Sequence, residues 1–327
     1  MRRFALAVVL AALAACGKFQ DPNIVVDLRI ISMQATVPEQ VIAIDFANPP
    51  SPTDVIAQMV PSDVCATVAD PSFDGRRLRY ELTLCEESGN DRCPYDLPYH
   101  LLGTGVIDDP DLTQPEPKLC ATVEPDGNLL GVLYDEIMND ALHGLQGEQY
   151  MVALRVGGED ADPDLDLYAA KALNVMPEIP AGRQPNHNPY LTEIDATLPD
   201  GTTSALPLGR CVDQTAPLDV APETKVRLMP IEPDGVREMY QLQLLDGTSE
   251  TFTENLSYQW TAGDGSFSSG DTGGPHDPFG NEPPLFSDWK APKAADLTGP
   301  TDIPIWIVQR DERLGVAVYE SCIRVTP

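Results

Sequence analysis

The stretch Leu256–Ala262, with the sequence LSYQWTA, decides the fold of this chain. Apolar and polar side chains alternate along it, which places Tyr258 and Trp260 on the same face of an extended chain. A period of two residues is typical of a β-strand with one buried face and does not fit a helix. The stretch therefore predicts a strand that carries two large aromatic rings into a core.

Similar segments recur on both sides of this strand. The 32 prolines and 24 glycines are scattered between them, a spacing that is typical of all-β domains. The apolar fraction of 42% is high enough for folded domains despite the many acidic residues. Further strands are predicted at Ile24–Ile31, Gln40–Ile44, Leu78–Cys85, Tyr150–Val156, Leu167–Val175, Lys225–Leu228, Met239–Leu244, Ile303–Gln309 and Gly315–Val325.

A family resemblance extends from the central strand. Tyr258–Ser266, Tyr-x-Trp-x-x-Gly-Asp-Gly-Ser, is similar to the Trp-x-x-Gly-Asp-Gly-Ser stretch of PKD and related bacterial immunoglobulin-like domains. The resemblance covers roughly Ala221–Val325 and implies a β-sandwich, with Trp260 between two sheets and the glycines turning the chain at one end. The sequence departs from PKD in having Ala262 instead of an aromatic residue, and in a long insert, Asp271–Pro292.

The first half is predicted to be a second, more decorated sandwich. Asn128–Leu145 is its helix candidate, since apolar side chains lie along one side and Gly147 follows as a stop signal. Such a stripe is expected to pack in the core, with partner binding as the alternative. Met176–Pro189 has four prolines and no periodicity, and is predicted to be a linker. The predicted fold is all-β: tandem immunoglobulin-like β-sandwiches at residues 24–175 and 190–327, the first carrying one α-helix.

The amino terminus has the layout of a secretory signal. Arg2 and Arg3 precede a short apolar run and small residues. Leu13-Ala14-Ala15-Cys16 resembles the lipobox of bacterial lipoproteins. That resemblance implies removal of residues 1–15, acylation of Cys16 with fatty acids such as palmitate, and a tether over residues 16–23. Gly17 after the cysteine implies sorting to the outer membrane of a didermal bacterium. An ordinary signal peptide with an incidental Cys16 is the alternative.

Seven cysteines divide into Cys16 and six others. An even number in an exported protein predicts disulfides, whereas a zinc site is disfavoured because there is no Cys-x-x-Cys and no histidine at ligand spacing. Cys211–Cys322 is expected in the second half because these two residues bracket it. The first half allows three connectivities, among which Cys85–Cys93 with Cys65–Cys120 is favoured.

The charge of the chain limits its partners. Loss of Arg2 and Arg3 with the leader would take the net charge from −30 to −32. Nucleic acid and anionic lipid surfaces would be repelled by such a protein. Beyond the amino terminus, no apolar run is long enough for a transmembrane helix. A membrane partner is expected only through the lipid anchor.

The sequence predicts no catalytic, cofactor or metal site. The four histidines lie apart, and neither His-Glu-x-x-His nor Gly-x-Ser-x-Gly occurs. Asp160–Asp166 has alternating aspartates, but Leu165 stands where an EF-hand needs glycine and Lys171 where it needs a bidentate acid. A solvated acidic hairpin tip is therefore expected there, with weak calcium binding as the alternative.

Three aromatic residues in the insert form the candidate binding loop. Phe279, Phe286 and Trp289 lie within the insert, which is rich in glycine and proline and where exposed rings could stack on sugars or contact a protein. Rings that anchor the loop to the core are the alternative. The expected function is that of a membrane-anchored cell-envelope lipoprotein, a non-enzymatic binding or structural module for a protein or carbohydrate ligand. A surface-anchored carbohydrate-active or other hydrolytic enzyme is the alternative, because a carboxylate pair could lie among the 51 acidic residues.

Overall fold

The structure is a computed structural model that describes residues 21–45, 48, 50–71, 76–94, 97, 99–107, 116–139, 147–244 and 246–327. The expected signal peptide, Cys16, Gly17 and most of the tether lie outside the described residues. The first half contains β1 (Arg29–Ala35), β2 (Glu39–Ile42), α1 (Pro52–Ile56), β3 (Ser62–Ala69), β4 (Leu78–Glu86), β5 (Tyr99–Ile107), β6 (Glu116–Val123), α2 (Gly127–Asn139), β7 (Glu148–Gly158) and β8 (Leu167–Pro177). The second half contains β9 (Glu193–Thr197), β10 (Thr203–Leu206), β11 (Leu218–Val220), β12 (Lys225–Ile231), β13 (Met239–Gln243), β14 (Ser249–Thr253), β15 (Ser257–Ala262), β16 (Ser266–Phe267), β17 (Asp271–Gly273), β18 (Ser287–Lys290), β19 (Thr301–Arg310) and β20 (Val316–Val325).

The first half folds as a sandwich of two sheets. A three-stranded sheet, in the order β1-β3-β6, contributes Val64 and Leu119 to the core. A five-stranded sheet, in the order β2-β8-β7-β4-β5, contributes Leu82 and Val152 to the same core. Alternation along these strands directs every second side chain inward, so the apolar faces of both sheets are buried against each other.

Helix α2 closes this core. It buries Leu129, Val132 and Leu133, which lie on one side at helical spacing. The side chain of Asp126 caps the helix by accepting hydrogen bonds from the backbone N–H groups of Asn128 (2.8 Å) and Leu129 (3.2 Å). The predicted helix is thus present with its apolar stripe in the core, and residues 140–145 of the predicted range lie outside the described residues.

The second half is a sandwich of two five-stranded sheets, in the orders β10-β9-β12-β18-β16 and β11-β20-β19-β15-β17. Trp260 is fully buried between them, and its Nε1–H donates to Thr272 Oγ1 at 2.8 Å. Gly265 has a φ of +95°, and a Cβ there would lie 2.6 Å from Trp289 Nε1. The turn after β15 therefore requires glycine for both its backbone conformation and its close approach to a core ring.

The fold is all-β, with two tandem β-sandwiches as predicted from the sequence. The beginning of the described chain differs from the expectation, because the predicted strand Ile24–Ile31 starts only at Arg29. Ile24 instead forms a parallel bridge with Ala262, and the Val25 N–H donates to the Ala262 carbonyl at 2.9 Å. Ile24 and Val25 therefore contact the second sandwich.

Disulfides cross-link each sandwich internally, two in the first and one in the second, in the pairings favoured from the sequence. Cys65–Cys120 joins β3 to β6 where the two residues are direct cross-strand partners. Cys85–Cys93 closes the short loop after β4, and Cys211–Cys322 ties β20 to a 3₁₀ turn.

An apolar joint connects the two sandwiches. Trp306 and Val308 of β19 and Val316 of β20 pack against Ile31 and Ala69 of the first sandwich. The isoleucines that alternate with them on β19 face the core of the second sandwich. Strand β19 is therefore buried on both faces.

A buried charged cluster completes the joint. Arg313, in the turn between β19 and β20, lies 2.6 Å from Glu39 Oε1 of the first sandwich and 3.4 Å from Glu254 Oε1 of the second. Arg183 approaches Glu39 at 3.1 Å, and Glu238 lies 3.6 Å from Arg313. The charged turn between β19 and β20 is thus a buried contact between the two domains.

Candidate functional site

The insert between β17 and β18 carries the most exposed aromatic ring of the second sandwich. Phe279 is 90% exposed. The side chain of Asp277 fixes the turn beneath it by accepting from the backbone N–H groups of Phe279 (2.8 Å) and Asn281 (2.9 Å). A hydrogen bond from the Asn281 side-chain amide (2.8 Å), together with these backbone hydrogen bonds, lowers the pKa of Asp277. The turn therefore displays an apolar ring in water on an ordered support.

The other two aromatics of the predicted binding loop lie elsewhere. Trp289 is fully buried, and its Nε1–H donates to the Asp264 carbonyl at 3.0 Å. Phe286 is partly buried beneath the guanidinium of Arg227, whose central carbon lies 3.9 Å from the ring centroid. Of the three rings, Phe279 is therefore the exposed one. Trp289 belongs to the core and Phe286 anchors the loop, as the alternative interpretation of the sequence expected.

An acidic cleft of about 530 Å³ lies beside this insert. Glu232 in the cleft receives a bidentate contact from Arg237, at 2.7 and 2.8 Å, and a hydrogen bond from the Tyr258 hydroxyl at 2.5 Å. Burial and the adjacent Glu232 raise the pKa of Tyr258. The charged and amide side chains that line the cleft are Glu232, Arg237, Glu254, Asn255, His276 and Glu282.

Glu254 is the buried acid of the cleft. Only 2% of the residue is exposed. It accepts from the Glu238 backbone N–H at 3.1 Å and from Arg313 at 3.4 Å. Burial, followed by the negative charge of Asp311, raises the pKa of Glu254 to about 7. This carboxyl therefore joins the floor of the cleft to the charged cluster between the domains, a link that the sequence did not reveal.

The aspartate-rich loop has a structural role at its end. Asp162 caps a short 3₁₀ turn by accepting from the Asp164 N–H at 3.0 Å. Asp166, however, is buried and lies 2.7 Å from both Arg79 and Arg155. The expected solvated tip is wrong for this residue, since two arginines on neighbouring strands neutralise it. Among the described residues, no group of three histidine, cysteine, aspartate or glutamate side chains could hold a metal ion.

Comparison with known proteins gives little guidance. No protein-family model and no curated protein matches the chain. The C-terminal domain of the Streptococcus agalactiae AgI/II polypeptide BspA is 8% identical over 90% of this chain and 100% of that chain, with a TM-score of 0.20. The collagen adhesin of S. aureus is 10% identical over 91% of this chain and 92% of that chain, with a TM-score of 0.15. At such TM-scores these alignments carry no argument about function.

The helices of the described chain are too short or too polar to cross a membrane.

Proposed function

We propose that this chain is a lipid-anchored protein of the bacterial cell envelope that acts as a non-enzymatic binding or structural module. The anchor would be Cys16, which ends the lipobox-like segment Leu13–Cys16. Several acyl chains, each methylene contributing about 0.8 kcal/mol, give stable attachment to a bilayer. The two sandwiches would then form the body that the tether presents, on an outer membrane if the host has one.

The observation that carries the binding role is the exposed ring of Phe279. The phenyl ring of Phe279 is 90% exposed on an ordered turn, so its apolar surface is available for contact. Burying that surface against a sugar face or a protein side chain would contribute favourable free energy to binding. The acidic cleft beside it would favour ligands that also carry hydrogen-bond donors or positive charge.

Binding can be tested with the mature protein on arrays of defined glycans and of cell-surface proteins. We expect retention on at least one array, and a loss of about tenfold or more in Phe279→Ala. Leu165→Ala is a matched control, because Leu165 is 73% exposed in the first sandwich. Retention that is unchanged in Phe279→Ala, or absent from both arrays, would contradict a binding role for this loop.

The anchor can be tested by the intact mass of protein purified from membranes. We expect a chain that begins at acylated Cys16 and gains about six hydrogens on reduction of three disulfides. The Cys16→Ala variant should leave the membrane fraction. An unmodified mature chain would show a secreted protein instead.

A hydrolytic enzyme is the second candidate, and Glu254 is the residue that favours it. A carboxyl with a pKa of about 7 suits a general acid, and Glu232 lines the same cleft. Both carboxyls are already held by arginines, which favours a structural role. Hydrolysis of chromogenic glycosides that disappears in Glu254→Gln would establish the enzyme, and its absence from wild type would count against it.

A further inference from the structure

We propose that the cleft between the two sandwiches binds a small carboxylate ligand, held by Lys171 and Arg310. The cleft has a volume of about 470 Å³, which lies within the usual range for small-molecule sites. Strands β1 and β8 of the first sandwich form one wall, and the β19–β20 turn with Gln259 forms the other. Among the described residues, it shares no lining residue with the acidic cleft beside Phe279, so this proposal is independent of the loop.

Lys171 is a buried cation in this cleft without a close counter-ion in the described chain. Only 5% of the residue is exposed, and its Nζ donates to the Leu314 carbonyl. No described carboxylate lies within 4.0 Å of that nitrogen. Asp311 lines the same cleft, but its carboxylate accepts from the backbone N–H groups of Arg313 (2.8 Å) and Gly315 (2.7 Å) and from Asn186 (3.1 Å).

Arg310 adds a second cation to the same cleft. It ends β19, and one guanidinium nitrogen donates to Gln259 Oε1 at 3.0 Å. Within the described ranges it forms no ion pair. The buried carboxylate of Asp166, by contrast, is paired with Arg79 and Arg155. Lys171 and Arg310 thus place two cations in one cleft, and neither has a carboxylate within 4.0 Å among the described residues.

The electrostatics of the cleft favour an anion. Burial is the main cause that lowers the pKa of Lys171 to about 8; the negative charge of Asp311 opposes this shift, and the positive charge of Arg310 adds to it by a smaller amount. Burial also lowers the pKa of Arg310. A carboxylate between the two groups would accept hydrogen bonds from both cations, and bonds to charged groups are the stronger hydrogen bonds.

The remaining lining limits the class of anion. Met33 and the alanines at positions 169, 170 and 172 give the cleft an apolar floor that suits the carbon body of an organic acid. Asp91, exposed at the edge, would repel a polyanion and accept a hydrogen bond from a hydroxyl or amine group. A sugar acid and the carboxyl terminus of a peptide share this chemistry: one carboxylate on a partly apolar body.

The test is calorimetric titration of the mature, disulfide-bonded protein with two pairs of probes. Glucuronate against glucuronamide represents sugar acids, and N-acetyl-leucine against N-acetyl-leucinamide represents peptide termini. We expect at least one acid to bind and its amide to bind tenfold more weakly or not at all. The pair that binds identifies the source of the carboxylate. Equal binding of acid and amide, or binding of neither acid, would overturn the proposal.

Variants and pH locate the site. Lys171→Met and Arg310→Gln should each weaken binding about tenfold, whereas Arg324→Gln, in an exposed pair with Asp302, should leave it unchanged. Affinity of the wild type should fall above about pH 8, as Lys171 loses its proton in the field of Arg310, Asp311 and Asp91. This pH dependence needs no variant and remains a test if Lys171→Met fails to fold. Binding that persists in both variants, or that is flat from pH 7 to 9.5, would overturn the assignment.

Discussion

Arg313 of the second sandwich lies 2.6 Å from Glu39 of the first, and both side chains are buried. The two residues are 274 positions apart in sequence. A buried charge is tolerated only when a partner neutralises it, and here the partner belongs to the other domain. Separation of the sandwiches would remove that partner from both residues at once, so the pair couples the stability of the two domains.

Arg313→Met should therefore destabilise the protein and uncouple its domains. Loss of one partner from a buried pair costs about 3–5 kcal/mol, and Glu39 would keep only Arg183. All three tryptophans, Trp260, Trp289 and Trp306, lie in the second sandwich. Urea unfolding followed by tryptophan fluorescence then reports that sandwich and, through Trp306, its joint with the first sandwich, while far-ultraviolet circular dichroism reports both sandwiches. The two curves should coincide for wild type and separate for the variant.

The control for this experiment is Arg324→Met, which breaks a half-exposed pair with Asp302. Such pairs contribute about 0–1 kcal/mol, so the two unfolding curves should stay together. Coincident curves in Arg313→Met would show that the apolar joint around Trp306 holds the domains together without the charged pair.

The strands were predictable, and the joint was not. Trp260 sits in a stretch whose alternation depends on neighbouring residues alone, so the sequence places it on the buried face of a strand. Its position between two sheets was implied by the resemblance to PKD-like domains. The role of Arg313 depends on Glu39, which no local pattern connects to it. One signal was present in β19: its nearly continuous apolar run, Ile303–Val308, is typical of a strand buried on both faces.

The candidate binding loop shows the same limit. Phe279, Phe286 and Trp289 have similar local composition, and composition does not distinguish an exposed ring from a core ring. The burial of Trp289 is decided by the pairing of β18 with β12 and β16, which places Trp289 opposite Val226 and Phe267 in the sheet. The burial of Asp166 also depends on residues distant in sequence, because its two arginine partners come from β4 and β7.

Lys171→Met should stabilise the unliganded protein at neutral pH. The folded pKa of Lys171, about 8, lies below its ordinary value of 10.5, so the unfolded chain binds more protons between these values. The stability of the wild type should then rise with pH from about 8 to 10.5, by up to about 3 kcal/mol. Below pH 8 the full cost of the buried charge is present. Urea unfolding at pH 7 and pH 10 should show a smaller rise in the variant, and an equal rise in both proteins would contradict the shifted lysine.

Removal of each disulfide should cost stability in the order of the loops they close. The sequence separations are 111 residues for Cys211–Cys322, 55 for Cys65–Cys120 and 8 for Cys85–Cys93. The chain-entropy relation gives costs of about 5, about 4 and about 2.5 kcal/mol. Paired Cys→Ala variants, compared by urea unfolding, should follow this order. A larger loss at Cys85–Cys93 than at Cys211–Cys322 would show that native packing, and not the unfolded chain, sets the effect.

Acidification to about pH 5 should stabilise the protein through Glu320 and Glu254. Glu320 is partly buried beside the Cys211–Cys322 disulfide and accepts from the Cys211 N–H at 2.7 Å. Burial raises the pKa of each carboxyl to about 7, from an ordinary value of 4.5. The folded chain therefore binds more protons than the unfolded chain between these values, and stability falls as pH rises through this window.

Glu320→Gln and Glu254→Gln should each reduce the difference in unfolding free energy between pH 5 and pH 8, by up to about 2 kcal/mol. Asp160→Asn, on an exposed loop, should leave the difference unchanged. If neither glutamine variant alters the pH dependence, the general repulsion of a chain with a net charge of −30 would account for it instead.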